Sequence, residues 1–145
     1  MEIKVKKLHP EAILPKRGSV DAAGSDLYAC IPEGSLVIPP HATVRVGTGL
    51  AMAIPSGYFG GIFARSGLAT KEGLRPANCV GVVDSDYRGE NQVPLHNDTD
   101  TEKTVRHGDR IAQMVILPCP AVEYTEAGEL DDTDRGAGGF GSTGR

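Results

Sequence analysis

The sequence has no tryptophan, no long apolar run and no paired cysteine motif. Its apolar runs are far too short to cross a bilayer as helices. The opening "MEIKVKKLHP" carries charge but leads into no apolar core segment, so no signal peptide is expected. The three cysteines, Cys30, Cys79 and Cys119, are odd in number and form no C-x-x-C pair. They are expected as buried or half-buried thiols in a reducing, cytoplasmic compartment. His9, His41, His96 and His107 are dispersed without metal-ligand spacing, and no zinc site is expected. The net charge of -4 supplies no basic stripe, which argues against a general nucleic-acid binder. A small anion held by a local group of arginines stays open. No stretch keeps a 3.6-residue period for three turns, and no repeat of solenoid length is visible.

What is present is glycine and proline at short intervals, with β-branched or alternating runs between them. These runs are residues 3–5, 36–38, 43–46, 50–54, 59–63, 80–83, 93–95 and 111–117. Many short strands separated by turn residues predict one all-β domain, a barrel or sandwich. A chain of 145 residues can bury roughly 70% of its unfolded surface in one core. One short helix is expected in "ARSGLATKEG", capped by Ser66 and ended by Gly73. The character changes at Glu126. Residues 1–125 are expected to form the β domain, and the polar, then glycine-rich residues 126–145 a flexible arm.

Five stretches could carry chemistry. In "ARSGLA", Arg65 and the start of the helix at Ser66 and Gly67 make a natural anion site, though an ordinary helix start reads the same way. "NCVGVVDSDYRGE" reads as a buried strand, Val80–Val83, and a turn returning into "NQVPLHN", a hairpin with carboxylates at its bend. Calcium is excluded there, because Arg88 and Leu95 stand at the fifth and twelfth loop positions and no helices flank it. Asp84 and Asp86 are too close in sequence to face each other across a sugar. One carboxylate that activates water suffices to hydrolyse a phosphoanhydride, whereas solvated turn aspartates would do nothing. "HGDRIAQMVIL" is a tight turn entering a strong strand that bears Gln113. "AAGSDLYA" sets Asp26 among small residues, where a buried carboxylate needs partners. The closing "RGAGGFGSTGR" spells a dinucleotide fingerprint, but no strand precedes it and no helix can follow. Its backbone, with Arg135, Ser142 and Thr143, could still donate to phosphate oxygens.

In order and spacing these five stretches resemble the five short motifs of the trimeric deoxyuridine triphosphatase (dUTPase) family. The resemblance implies a jelly-roll-like (β-clip) barrel and a homotrimer with three shared sites. It implies hydrolysis of dUTP to dUMP and pyrophosphate with Mg²⁺, which removes dUTP and supplies dUMP for thymidylate synthesis. By the same resemblance Asp84 activates the attacking water. Asn78 and the backbone near Val82 and Val83 read uracil, Gln92 is a further substrate contact, and Tyr87 packs on deoxyribose. Arg65, Ser66, Gly67 and Gln113 contact phosphates, and Asp26 lies near the metal, acting through water. In the arm, Phe140 and Gly141 cover the base, while Arg135, Ser142 and Thr143 hold the terminal phosphates. Gly61, Ser25, Asn91 and Gln92 depart from what family members often carry. A dCTP deaminase of the same broad fold and a non-catalytic dUTP-binding protein are the rival readings.

Overall fold

The computed structural model describes residues 1–139. Twelve strands and one helix follow in chain order. The strands are β1 (Lys4–Lys7), β2 (Lys16–Arg17), β3 (Ser25–Tyr28), β4 (Ser35–Ile38), β5 (Thr43–Gly47), β6 (Leu50–Ala53) and β7 (Tyr58–Phe63). Then come α1 (Ser66–Glu72), β8 (Leu74–Pro76), β9 (Val80–Val83), β10 (Gln92–Asn97), β11 (Lys103–Arg106) and β12 (Arg110–Pro118). The described residues are all-β apart from α1, as the punctuation of short apolar runs predicts. Four short strands, β2, β3, β8 and β11, lie where the sequence shows no apolar run.

Every ladder is antiparallel. The largest sheet has the order β2-β3-β12-β7-β9, with β12 at its centre. A second sheet is β5-β10-β8, and two pairs, β1-β6 and β11-β4, complete the shell. Alternation places Val93, Leu95 and Asn97 of β10 inward, where Val46 of β5 and, beside a register shift, the neighbours Ile111 and Ala112 of β12 are also buried. Leu27, Ile38 and Leu50 join them in one apolar cluster shared by both larger sheets. Deleting such a side chain to alanine costs about 2–5 kcal/mol.

One row of the large sheet organises the rest. Asp26 faces Gln113, Gln113 faces Phe63, and Phe63 faces Val80 across four strands. Three strand spacings separate the ends of that row, about 14 Å.

Three local expectations are corrected. Ser66 does not cap α1. The cap is Arg65, in extended conformation with no side-chain cap bond, because Ser66 is already in the first turn. The stop is as expected: Gly73 takes φ 66°, and its N–H bonds Leu68 O. Val80–Val83 is not a fully buried strand, since its residues alternate outward and inward and Val82 is 61% exposed. Two of the thiols also differ, Cys79 and Cys119 being exposed, whereas Cys30 is half-buried as expected. Burial, helped by the charges of Glu90, Glu11 and Glu33, raises the Cys30 pKa above that of an ordinary thiol.

Beyond Pro118 the chain leaves the sheet. Residues 119–137 are exposed, and residues 119–139 contain no helix or strand.

Candidate active site

The segment expected as a hairpin is instead an open fork. β9 ladders to β7, while β10 ladders to β5 and β8, so the two arms belong to different sheets. Among the described residues no ladder joins β9 to β10. The turn between them is held locally: Tyr87 N–H donates to Asp84 O at 3.2 Å, and Arg88 Nη1 donates to Ser85 O at 2.6 Å. Tyr87 Oη donates to Glu90 O at 3.0 Å, which lays the ring over Gly89, where a Cβ would collide with it. On the far side, Glu90 accepts the Gly49 N–H at 2.8 Å and Gln92 Nε2 at 3.0 Å.

The gap in the fork is a cavity of about 220 Å³. Its lining includes Asn78, Val82, Val83, Asp84, Tyr87 and Gln92, so six residues singled out in the sequence meet there. Asn78 packs its amide over Gly81, where an added Cβ would lie 3.1 Å from Nδ2. An opening edged by strand backbone and carboxamides suits a flat ring with polar edges. Asp84 stands at its mouth with an exposed side chain.

A separate cleft of about 240 Å³ gathers Asp26, Arg65, Ser66, Gly67 and Gln113 with Gly24 and Arg110. Asp26, with its side chain 15% exposed, accepts Arg65 Nε at 2.8 Å and Arg110 Nη1 at 3.3 Å. The half-buried aspartate thus has the partners its position demands. Arg110 is the member that sequence reasoning missed; it lies three residues before Gln113, and only the register shift between Arg110 and Ala112 brings both to one cleft. Gln113 Nε2 donates to Ala64 O at 3.0 Å, which ties β12 to the start of α1. Gly24 is required beside it, because a Cβ there would lie 2.6 Å from Gln113 Oε1. Two guanidinium groups, one carboxylate and the first turn of a helix form a cleft suited to a polyanion.

The cleft and the fork lie at opposite ends of the row from Asp26 to Val80. The structure therefore brings the expected residues into two groups. Arg135 belongs to neither, and its Nε donates to Gly138 O at 2.8 Å within a turn of the arm. Phe140, Gly141, Ser142 and Thr143 lie outside the described residues.

Of the departures, Gly61 has a local explanation. At Gly61 a Cβ would press on Phe63 and Leu117, so a larger residue finds no room. Asn91 is buried at 2% exposure beneath the fork. No cluster of three or more His, Cys, Asp or Glu side chains able to hold a metal occurs among the described residues. Each Asp26 oxygen accepts one arginine hydrogen bond and keeps a lone pair to which water on a metal could donate.

Such a fold, with one cavity for a polar ring and another for an anion, is that of a nucleotide-handling β protein. The dUTPase family model matches residues 10–144, and the chain belongs to the dUTPase family. It is 49% identical over 142 residues to a deoxyuridine 5'-triphosphate nucleotidohydrolase of Syntrophotalea carbinolica, covering 98% of this chain and 96% of that one. The Wolinella succinogenes protein of the same name is 50% identical over 145 residues, covering 100% of this chain and 95% of the other. Among solved structures, a Staphylococcus bacteriophage 80alpha dUTPase with dUpNHpp superposes with a TM-score of 0.90 at 27% identity, covering 99% of each chain.

Proposed function

We propose that this protein hydrolyses dUTP to dUMP and pyrophosphate, removing dUTP and supplying dUMP for thymidylate synthesis. The single observation that carries the reading is the fork of β9 and β10, whose cavity sets Asn78, Tyr87 and the edge of Val82 and Val83 beside Asp84. Uracil enters between the arms. Asn78, the backbone at Val82 and Val83, and Gln92 meet its polar edges. Tyr87 packs against the deoxyribose and leaves no space for a 2′-hydroxyl. A C5 methyl or a C4 amino group fits poorly, and an unmatched buried polar group can cost a substrate far more than one methylene.

Asp84 orients a water for in-line attack on the α-phosphorus and takes its proton, with pyrophosphate leaving. A positioned carboxylate base contributes roughly 10²- to 10⁴-fold. Arg65, Ser66, Gly67 and Gln113 hold the phosphates and offset the developing charge. Mg²⁺ would be held chiefly by phosphate oxygens and water near Asp26, and it neutralises phosphate charge when bound.

Separation of fork and cleft within one chain supports a homotrimer in which each site takes them from different copies. Residues 126–145 act as an arm over that site. Phe140 and Gly141 cover the base, and Arg135, Ser142 and Thr143 reach the terminal phosphates. Its glycines allow it to lie close along a triphosphate once closed. No helix among the described residues is long and apolar enough to cross a membrane.

Pyrophosphate and ammonia release are measured from dUTP, dCTP, dTTP and UTP, with and without Mg²⁺. The expected result is Mg²⁺-dependent pyrophosphate from dUTP and little from the others. Ammonia from dCTP would assign the deaminase reading, and binding of dUTP without turnover would assign the non-catalytic one.

A further inference from the structure

Glu90 stands half-buried where the fork meets the turn between β5 and β6, with each oxygen committed to a different neighbour. Oε1 accepts the Gly49 N–H at 2.8 Å, and Oε2 accepts Gln92 Nε2 at 3.0 Å. The turn makes room for it. A Cβ on Gly47 would lie 2.5 Å from Oε1, and Gly49 takes φ 66°, the left-handed region that glycine enters freely. The backbone beside it is held as well: Glu90 O accepts Tyr87 Oη at 3.0 Å, and the Asn91 N–H donates to Leu50 O at 2.8 Å. The carboxylate is thereby fixed against the turn.

Its second oxygen decides the state of Gln92, which is exposed and lines the fork cavity. An ionised carboxylate only accepts hydrogen bonds, so the NH2 end of the Gln92 carboxamide is the end that faces Glu90. The other end, Oε1, accepts a hydrogen bond from no described residue. An exposed carboxamide can present either end to a ligand. Here the charge beside it selects the oxygen, because turning the amide over would set one acceptor against another.

We propose that Glu90 is a positioning residue for the base: it holds Gln92 so that the carboxamide offers an acceptor, and not a donor, to a ligand in the fork. This inference rests on the dUTP reading of the same cavity. The base of dUTP has a single N–H, the imide N–H between its two carbonyls, since the other ring nitrogen bears the sugar. An acceptor from Gln92 has that one group on the base to pair with. The corresponding nitrogen of cytosine carries no hydrogen and repels an acceptor. A mismatch of polar groups discriminates more strongly than a difference of one methylene. Glu90 acts through the orientation of its neighbour, as the supporting groups around a binding site do.

The test is Glu90→Gln, alone and combined with Gln92→Ala, read by steady-state kinetics on dUTP and dCTP. The substitution keeps the shape but makes one end of the side chain a donor. The Gly49 N–H still requires the carbonyl end, so the new NH2 faces Gln92 and turns its carboxamide over. The wild-type protein is assayed first: failure to prefer dUTP there overturns the dUTP reading itself, independently of Glu90. Given that preference, KM for dUTP in Glu90→Gln should rise about three- to tenfold, the value of one neutral hydrogen bond, with kcat changed less. The dUTP-over-dCTP ratio should fall with it. In the Gln92→Ala background the same substitution should add no further change, because the group it acts through is gone. An unchanged KM in the single variant overturns the inference. So does an equal rise in both backgrounds, which a merely structural role would give. Should a variant not fold, the wild-type protein crystallised with dUpNHpp decides. Gln92 Nε2 on Glu90 with Oε1 within about 3.2 Å of the imide nitrogen supports the inference, and an Oε1 that meets no part of the base overturns it.

Discussion

Gly81→Ala separates the role of the fork from that of the fold. Gly81 sits in β9 opposite Ile62, and it is not among the glycines with positive φ, so alanine adopts its backbone without strain. Replacing glycine at such a compatible position stabilises by about 0.4–1 kcal/mol through the unfolded chain. Against this, the new Cβ would stand 3.2 Å from Ile62 Cβ and 3.1 Å from Asn78 Nδ2. Ile62 Cβ is anchored in a ladder and moves little. Asn78 is at the edge of a cavity, so its amide gives way by a few tenths of an ångström. The tight Ile62 contact opposes the gain from the unfolded chain, and melting should shift by no more than a few degrees. The functional term has no such offset. A displacement of about 1 Å can cost 10²-fold. A few tenths should therefore lower kcat/KM for dUTP by about three- to tenfold, chiefly through KM. Melting scans and initial rates of pyrophosphate release measure both. A fall in melting temperature above about 5 °C with kcat/KM intact would refute the reasoning, because it would make Gly81 a packing residue and Asn78 a bystander.

Two further outcomes follow from other groups. Asp26→Asn removes the charge that Arg65 and Arg110 share while keeping the shape; the cost should be about 1–3 kcal/mol, seen as a lower denaturation midpoint, with a larger loss of kcat/KM. Asp98 accepts Arg75 Nε at 2.8 Å and Nη2 at 3.0 Å, and this pairing holds its carboxyl below the ordinary aspartate range. A depressed folded-state value means its contribution is complete above the unfolded pKa and is lost as pH falls through the folded one. Carboxyl NMR titration should thus find Asp98 ionised at a pH where ordinary aspartates are half protonated, and Arg75→Gln should abolish the difference.

The strands carried by β-branched and apolar runs were legible because burial on one face leaves a period in the sequence. Short strands such as Lys16–Arg17, Leu74–Pro76 and Lys103–Arg106 were not. They are held by a neighbour's backbone ladder, which leaves no such mark. Strand–turn–strand spacing around Asp84 predicts a hairpin, but local spacing cannot say which edge each arm pairs with. Here β7 and β5 compete successfully for the two arms, and the opening they leave is the cavity. Asp26 was legible as a carboxylate in need of partners, and Arg65 as an anion contact. That the two bond each other follows from β12 lying between β3 and β7, a long-range fact. Asn91 reads in sequence as a polar interruption of a strand, and its burial beneath the fork emerges from the fold alone.

The most direct test of the account is Asp84→Asn. The side chain is exposed, so the substitution should leave folding and melting temperature unchanged. It should also leave the affinity for dUpNHpp close to that of the wild type. Pyrophosphate release from dUTP should fall by about 10²- to 10⁴-fold in kcat. A variant that hydrolyses dUTP at near the wild-type rate, or one that loses nucleotide binding along with activity, would contradict the assignment of Asp84 as the base that activates water.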